Sequence, residues 1–473
     1  MKGKLELLES ENVLRFISEN GVKILNLCHI PEDGRLKTLS FSASDKRQVH
    51  EVLEFGERVD GSSLFSYIKP EKSDIYVTPQ LNAAFLDPFS SEPTLNILSR
   101  YRDETGEPLD IAPQNILRKA EQKLSSSANI TLNALAELEF YIISKVENAN
   151  LFSSAAESHY HESAPFSKFG DLRSEILVTL TDIGISTKYG HAEVGNMRKD
   201  DGTVVEQHEI ELAPENLTKM AETIALTKWV IRNVCAKHGA TVSFSPKISL
   251  AHAGSGMHIH LCGLRNQKNV IVDSEGNLSN DAKKMIGGIL KFAPSLCAFG
   301  NTIPVSYLRF ISRKESPVHI CWGTRNRLAL VRIPLWWKFK RIKEEVGAAQ
   351  RTFEFRAPDA SANAHLLFAG IAVATDYGYN NSEEALRIVE ELHIEPKGEV
   401  KEGLNRLPQS CAESAANLEN DRKYYETDGV FSQAVIDGTI RRLLSYKDKT
   451  LSQMLKSEPR RIEDLMQTYL NYG

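Results

Sequence analysis

Short apolar runs broken by turn residues open the chain. "GVKILNLCHI", "LKTLSFSA", "SDIYVTP" and "NAAFLDPF" read as strands, and they predict a small sheet-rich domain over residues 1–105. The polar link "RDETGEPLD" follows, and "APQNILRKAEQKL" predicts the helix that opens a larger unit, 106–473. In "PENLTKMAETIALTKWVIRNVCAKHG", Leu217, Met220, Ile224, Val230, Ile231 and Val234 recur at helical spacing, and Gly239 is a natural stop. "DAKKMIGGILKFAPSLCAF" and "NAHLLFAGIAVATDYG" predict two more apolar helices, and the chain beyond about residue 380 reads as polar and helical. Strands and helices mixed without a repeat give an α+β class.

Within this pattern some strands carry charge where a period of two demands one face. "NALAELEFYIIS" places Glu137 and Glu139 side by side. The motif recurs with His191 and Glu193 in "KYGHAEVG", Glu209 and Glu211 in "VVEQHEIEL", His258 and His260 in "GSGMHIHL", and Glu354 and Arg356 in "QRTFEFRAP". Taken singly, each is a solvated sheet face; five in one chain favour a common charged cavity lined by successive strands. Five converging carboxylates, Glu137, Glu139, Glu193, Glu209 and Glu354, exceed what one divalent ion uses. They suit two or more hard ions such as Mg²⁺ or Mn²⁺, whereas zinc prefers Cys and His sets. Those ions would be the charge that lets Glu137 and Glu139 lie together.

Composition narrows the class. The 473 residues exceed one usual core, and 41% hydrophobic with 25% charged residues is ordinary for a globular protein. A net charge of −5 carries no nucleic-acid signature, and no apolar run approaches the roughly 20 residues that span a bilayer. The N-terminus lacks a secretion signal, and six scattered cysteines without a CxxC pair read as reduced thiols of a cytoplasmic protein. Paired metals with arginines handle phosphoryl transfer from ATP. Arg309, Arg325, Arg327, Arg332, Arg351 and Arg356 supply the arginines, without a Walker A motif or a kinase Gly-rich loop. His191 and His208 read as structural groups, Trp336 and Trp337 as packing or subunit contact, "KFKRIK" as a solvated face, and Cys262 as a small apolar filler.

An ordered set of motifs resembles the glutamine synthetase family, in its type I size class. The set comprises "VDGSSL", "ELEF", "HAEV", "EQHE", "AGSGMHIH", "SYLRFISRKESP", "RLALVRIP" and "EFRAPDASANAHL". The resemblance implies an N-terminal β-grasp domain and a catalytic domain whose curved antiparallel sheet lines a bifunnel. It also implies a dodecamer of two hexameric rings with active sites between subunits. The implied reaction is ligation of ammonia to the γ-carboxylate of glutamate through γ-glutamyl phosphate, driven by ATP. By motif, Glu139, Glu193 and Glu209 would hold one metal, and Glu137, His258 and Glu354 the other. His260 and Arg332 would meet ATP, while Arg309, Arg327 and Arg356 would surround the substrate carboxylate and the phosphoryl group. Gly254 would approach the substrate amino group. Asp60 of a neighbouring subunit would deprotonate ammonium, and Glu315 would close the site.

The chain departs from the family pattern at the substrate end. Ala253 replaces the Asn of "NGSG", "GNMRKDDGTVVE" lengthens the span between Glu193 and Glu209 by about eight residues, and "YHESAPFSKF" stands where "GYF" is expected. Leu328 and Ser316 replace smaller residues, and the "NLYDL" modification motif is absent. These departures admit a γ-glutamyl amide ligase acting on an organic amine, or a non-catalytic ring-forming homologue, as alternatives.

Overall fold

The computed structural model describes residues 5, 7–148, 150–312, 316–336, 351–395 and 403–473. The first sheet comprises β1 (Ile24–His29), β2 (Lys37–Ser42), β3 (Glu57–Asp60), β4 (Asp74–Leu86) and β5 (Thr94–Arg102), in the order β2-β1-β5-β4-β3. β1 and β5 pair in parallel and the other neighbours are antiparallel. "SDIYVTP" and "NAAFLDPF" form one strand, β4, whose pairing shifts between Pro79 and Ala84. Helices α1 (Ser10–Glu19) and α2 (Lys46–Phe55) bury Val13, Phe16, Val49 and Val52 in a core of this unit's own.

The second sheet is built around β6 (Thr131–Lys145), with β7 (Thr187–Arg198), β8 (Thr203–Leu212), β9 (Glu215–Asn216), β10 (Thr241–Ser243), β11 (Met257–Arg265), β12 (Lys268–Asn269), β13 (Trp322–Thr324), β14 (Val331–Ile333) and β15 (Phe353–Phe355). Its main path is β13-β14-β15-β11-β6-β8-β7. All its pairs are antiparallel except β13 with β14. Along β6, Ala134, Ala136, Leu138, Phe140 and Ile142 point into the large apolar core. That core also takes buried faces of α3 (Pro113–Ala128), α4 (Gly170–Asp182), α5 (Leu217–Lys237), α6 (Asn280–Gly300) and the helix Ala364–Asn380. The intervening positions, Glu137 and Glu139, are left on the opposite face.

The helix boundaries have local causes. Asn216 caps α5 by accepting from Lys219 N–H at 2.9 Å, and Gly239 ends the turn after it at φ +67°. Asn363 caps the helix Ala364–Asn380 and donates through Nδ2 to the carbonyls of Pro31 (2.9 Å) and Glu32 (3.2 Å). The "PDASAN" loop thus anchors the catalytic sheet to the small one. Beyond Tyr379 the described chain is helical as expected, over Ser382–Glu391, Cys411–Glu426, Gln433–Ser445, Leu451–Ser457 and Pro459–Thr468. Among the described residues no helix is long and apolar enough to cross a membrane.

Candidate active site

Antiparallel register puts the charged positions of five strands in line. Glu139 of β6 lies directly opposite Glu209 of β8, which lies opposite His191 of β7. Glu137 lies between His258 of β11 and Glu211 of β8. His260 faces Glu354 of β15, and Glu354 faces Arg332 of β14. These side chains line one cleft of about 1140 Å³, together with Glu193, Gly254, Arg309, Arg327 and Arg356.

Glu137 bridges two imidazoles, with Oε2 3.0 Å from His258 Nδ1 and Oε1 2.9 Å from His260 Nε2. Burial works against its charge, but the two histidines prevail and hold the carboxyl well below its ordinary range. Glu354, fully buried, accepts from Arg356 Nη1 at 2.6 Å and Arg332 Nη1 at 2.7 Å. Glu139 and Glu209 have no arginine bonded to them among the described residues. Burial, then the nearby Glu209, pushes Glu139 up to about 8, and burial with the neighbouring carboxylates raises Glu209 well above its usual range. Two opposed buried carboxylates that resist ionising together call for added positive charge, and a divalent cation bound by oxygen ligands meets that need. Among the described residues two groups offer ligand atoms within 4.8 Å of one another: Glu137, His260 and Glu354, and His191, Glu193 and Glu209.

These groupings differ from the sequence expectation in two places. His260, expected at the nucleotide, is the histidine of the first group. His258 stays close, 3.0 Å from Glu137, 3.5 Å from Glu354 and 3.9 Å from Glu139. His191, expected to be structural, stands 3.1 Å from Glu209 on the cleft wall. His208 does sit in the interior, against Arg173 at 2.9 Å, and Cys262 is buried.

The "GSG" loop enters the site through its backbone. Gly256 N–H donates to Glu139 Oε2 at 2.8 Å, and a Cβ at Gly256 would meet Arg309 Nη2 at 2.6 Å and His258 Nε2 at 3.0 Å. Arg309, on α7 (Pro304–Ile311), is buried and held by the carbonyls of Ala357 (2.8 Å) and Arg356 (3.0 Å). The "GNMRKDDGTVVE" stretch extends the β7–β8 hairpin, pairing Asn196 with Glu206 and Arg198 with Val204 around a tight turn at Gly202.

Tyr160, Lys188 and Tyr189 line the cleft although no sequence motif points to them. Tyr160 reaches the cleft because His159 and His161 N–H groups donate to the Val194 and Ala192 carbonyls, laying "HYH" along β7. Its ring stacks on His161 at 4.1 Å and meets His191 edge-on at 5.2 Å. Burial and the adjacent Glu193 raise its hydroxyl pKa. Lys188, paired with Glu211, and Tyr189 also line the wall. A tyrosine in the "GYF" region was the available signal for Tyr160.

Asp60 lies elsewhere, exposed at the end of β3 and outside the cleft lining. Ser62 and Ser63 hydroxyls donate to it at 2.7 Å each and hold its carboxyl down at about 2. Glu315, Trp337 and "KFKRIK" lie outside the described residues. Trp336 lines the cleft and donates to the Thr352 carbonyl at 3.3 Å.

A small five-stranded sheet joined to a larger sheet with a carboxylate-lined cleft defines a recognisable architecture. Family models match twice: "Glutamine synthetase, beta-Grasp domain" over residues 21–104, and "Glutamine synthetase, catalytic domain" over 110–456. Curated relatives described as glutamine synthetase include one from Aquifex aeolicus, 31% identical over 90% of this chain and 92% of the relative. Another, from Mycolicibacterium smegmatis, is 30% identical over 93% of this chain and 94% of the relative. The cryo-EM structure of Plasmodium falciparum glutamine synthetase superposes with a TM-score of 0.79 at 20% identity, covering 95% of this chain and 97% of that one. The chain belongs to the glutamine synthetase family.

Proposed function

We propose that the chain ligates ammonia to the γ-carboxylate of L-glutamate, using ATP and giving glutamine, ADP and phosphate. The observation that carries this reading is the pair of opposed buried carboxylates, Glu139 and Glu209, in a cleft that also presents five arginines, Arg309, Arg327, Arg332, Arg351 and Arg356. A γ-carboxylate oxygen attacks the terminal phosphorus of ATP, ADP leaves, and γ-glutamyl phosphate forms. The nitrogen then attacks the acyl carbon, and phosphate departs with the carboxylate oxygen. Mg²⁺ or Mn²⁺, two or more per site, would be held by Glu137, His258, Glu354, Glu139, Glu193 and Glu209, with His191 and His260 within reach. Such ions supply charge neutralisation at the transferring phosphoryl group.

The chain's own groups do the rest. Arg309, Arg327 and Arg356 bind the substrate carboxylate and the phosphoryl oxygens, and Arg332 and His260 the ATP phosphates. Gly254 faces the substrate amino group. Asp60, ionised and exposed at the end of β3, takes a proton from ammonium bound in a neighbouring subunit. Glu315 covers the acyl phosphate against water. The reading carries with it a two-unit chain (1–105 and 106–473), a cytoplasmic setting and a dodecamer.

One observation favours a second reading. Tyr160, His161 and His191 form an aromatic wall beside Glu193, and Leu328 lines the cleft with 54% of its surface exposed. An organic primary amine, cationic and partly apolar, would suit that wall. ADP and phosphate release with Mg²⁺, ATP and glutamate tests both readings. Stimulation by ammonium with glutamine formed supports the first, and stimulation by amines alone supports the second. No stimulation by any nitrogen donor would overturn both.

A further inference from the structure

Three of the departures from the family pattern, at Ala253, in the lengthened hairpin and around "YHESAPFSKF", lie far apart in sequence, yet hydrogen bonds link their neighbourhoods. Asn196, buried where the lengthened hairpin begins, accepts through Oδ1 from the Glu157 N–H at 2.9 Å. Glu157, just ahead of the "YHESAPFSKF" segment, accepts through Oε2 from the Ala253 N–H at 2.7 Å. The Ala253 carbonyl in turn accepts from the Tyr141 hydroxyl at 2.8 Å. Gly254 comes next in the chain and faces the cleft. Glu157 adopts a left-handed φ of +57°, a conformation a glutamate holds where its surroundings fix it.

The other carboxylate oxygen, Glu157 Oε1, is buried with no hydrogen-bond partner. A carboxylate half-satisfied by its own chain, with one oxygen out of reach of water, is costly, and a cation arriving with a ligand would offset that cost. The carboxylate is bonded to the N–H of Ala253, the residue before Gly254 and the position at which the resembled motif has Asn.

We propose that Glu157 is the residue through which this chain recognises the α-ammonium group of its amino-acid substrate. It positions the Ala253–Gly254 backbone through one oxygen and sets a negative potential there with the rest of its charge. Asn196 orients Glu157, so the lengthened hairpin and the loss of the family's Asn compensate one another. The inference rests on the ligase reading, in which Gly254 approaches the substrate amino group.

Glutamate and glutarate, which differ by the α-ammonium group, separate recognition from mere structure. ADP release is measured with glutamate as substrate and glutarate as competitor, for the wild-type protein and Glu157→Gln. The amide keeps an oxygen to accept from Ala253 N–H but carries no charge. The expected result is a KM for glutamate raised about tenfold or more, with kcat changed less than about threefold and the glutarate inhibition constant within about twofold. Glu157→Ala, which also frees the loop, lowers kcat as well. An unchanged glutamate KM in Glu157→Gln, or a parallel rise for glutamate and glutarate, overturns the proposal while leaving the ligase reading intact. A wild-type protein that releases no ADP with glutamate and any nitrogen donor overturns both.

Discussion

Glu139 and Glu209 face each other across adjacent antiparallel strands, both buried, with no lysine or arginine among the described residues bonded to either carboxylate. In water such a pair would separate. Here the sheet fixes it, so the fold stores a repulsion that a bound divalent ion relieves. Replacing Glu209 with Gln removes one charge of the pair. The metal-free variant is expected to be at least as stable as wild type in thermal melts, whereas the rise in melting temperature on adding Mn²⁺ shrinks, with metal affinity down at least about tenfold. Glu137→Ala is expected to lose metal affinity and activity together. If titration showed both unchanged, the assignment of this cleft as a metal site would fail.

The Gly256 backbone reaches Glu139 because nothing projects from its Cα. A methyl group there meets Arg309 and His258 at once. Gly256→Ala is expected to lower kcat/KM at least about tenfold through displacement of the guanidinium, and to destabilise the fold by about 1–3 kcal/mol in urea unfolding. Gly276, an open turn glycine where an added Cβ would have nothing within 4 Å, is the control for handling but not for conformation, since its φ is +83°.

Tyr160 forms the wall beside Glu193. Tyr160→Ala is expected to raise the KM for the nitrogen donor about tenfold while leaving the KM for ATP within about twofold, because only the acceptor end of the cleft loses a surface. Initial rates at varied ammonium and varied ATP separate the two constants.

Acid stability has a contribution away from the metal groups. His365, buried with Nε2 unpartnered, is held down at about 3 by burial and then by Arg100, and burial followed by Lys37 lowers His29 to about 4. The unfolded chain binds a proton on each near pH 6.5, where the folded chain does not. Stability is therefore full above about 6.5 and is lost as the pH falls toward 4 and then 3, at about 1.4 kcal/mol per pH unit for each histidine over its own range. Urea midpoints at pH 7 and pH 5 check this: wild type falls steeply, and His365→Gln falls with a shallower slope.

Much of this was legible from spacing. The period of two along β6 placed Glu137 and Glu139 opposite the apolar set that includes Leu138 and Phe140, and helical spacing located α5 within a few residues at each end. Capping and turn chemistry supported those boundaries at Asn216 and Gly239. Pairing across strands was not legible. Nothing local tells that Glu139 meets Glu209, or that His260 joins Glu137 and Glu354 more closely than its expected nucleotide role requires. The same holds for His191, which reads as a lone histidine on a strand and becomes a cleft group only when β7 lies beside β8. The polar start of "GNMRKDDGTVVE" carries no strand signal, yet with β-branched Thr203, Val204 and Val205 opposite it the stretch closes as a hairpin. Tyr160 was hidden because its segment lacks a regular period and is positioned by backbone bonds to β7.

In the proposed reaction the γ-carboxylate of glutamate becomes an acyl phosphate in this cleft. Glutamate labelled with ¹⁸O in its γ-carboxylate, supplied with Mg²⁺, ATP and ammonium, tests this by mass analysis of the released phosphate. The predicted result is one labelled oxygen in each phosphate, in step with amide formation, because the carboxylate oxygen leaves with phosphorus. Phosphate free of label, with ATP still consumed, would mean that water rather than glutamate receives the phosphoryl group, and would overturn the proposed reaction.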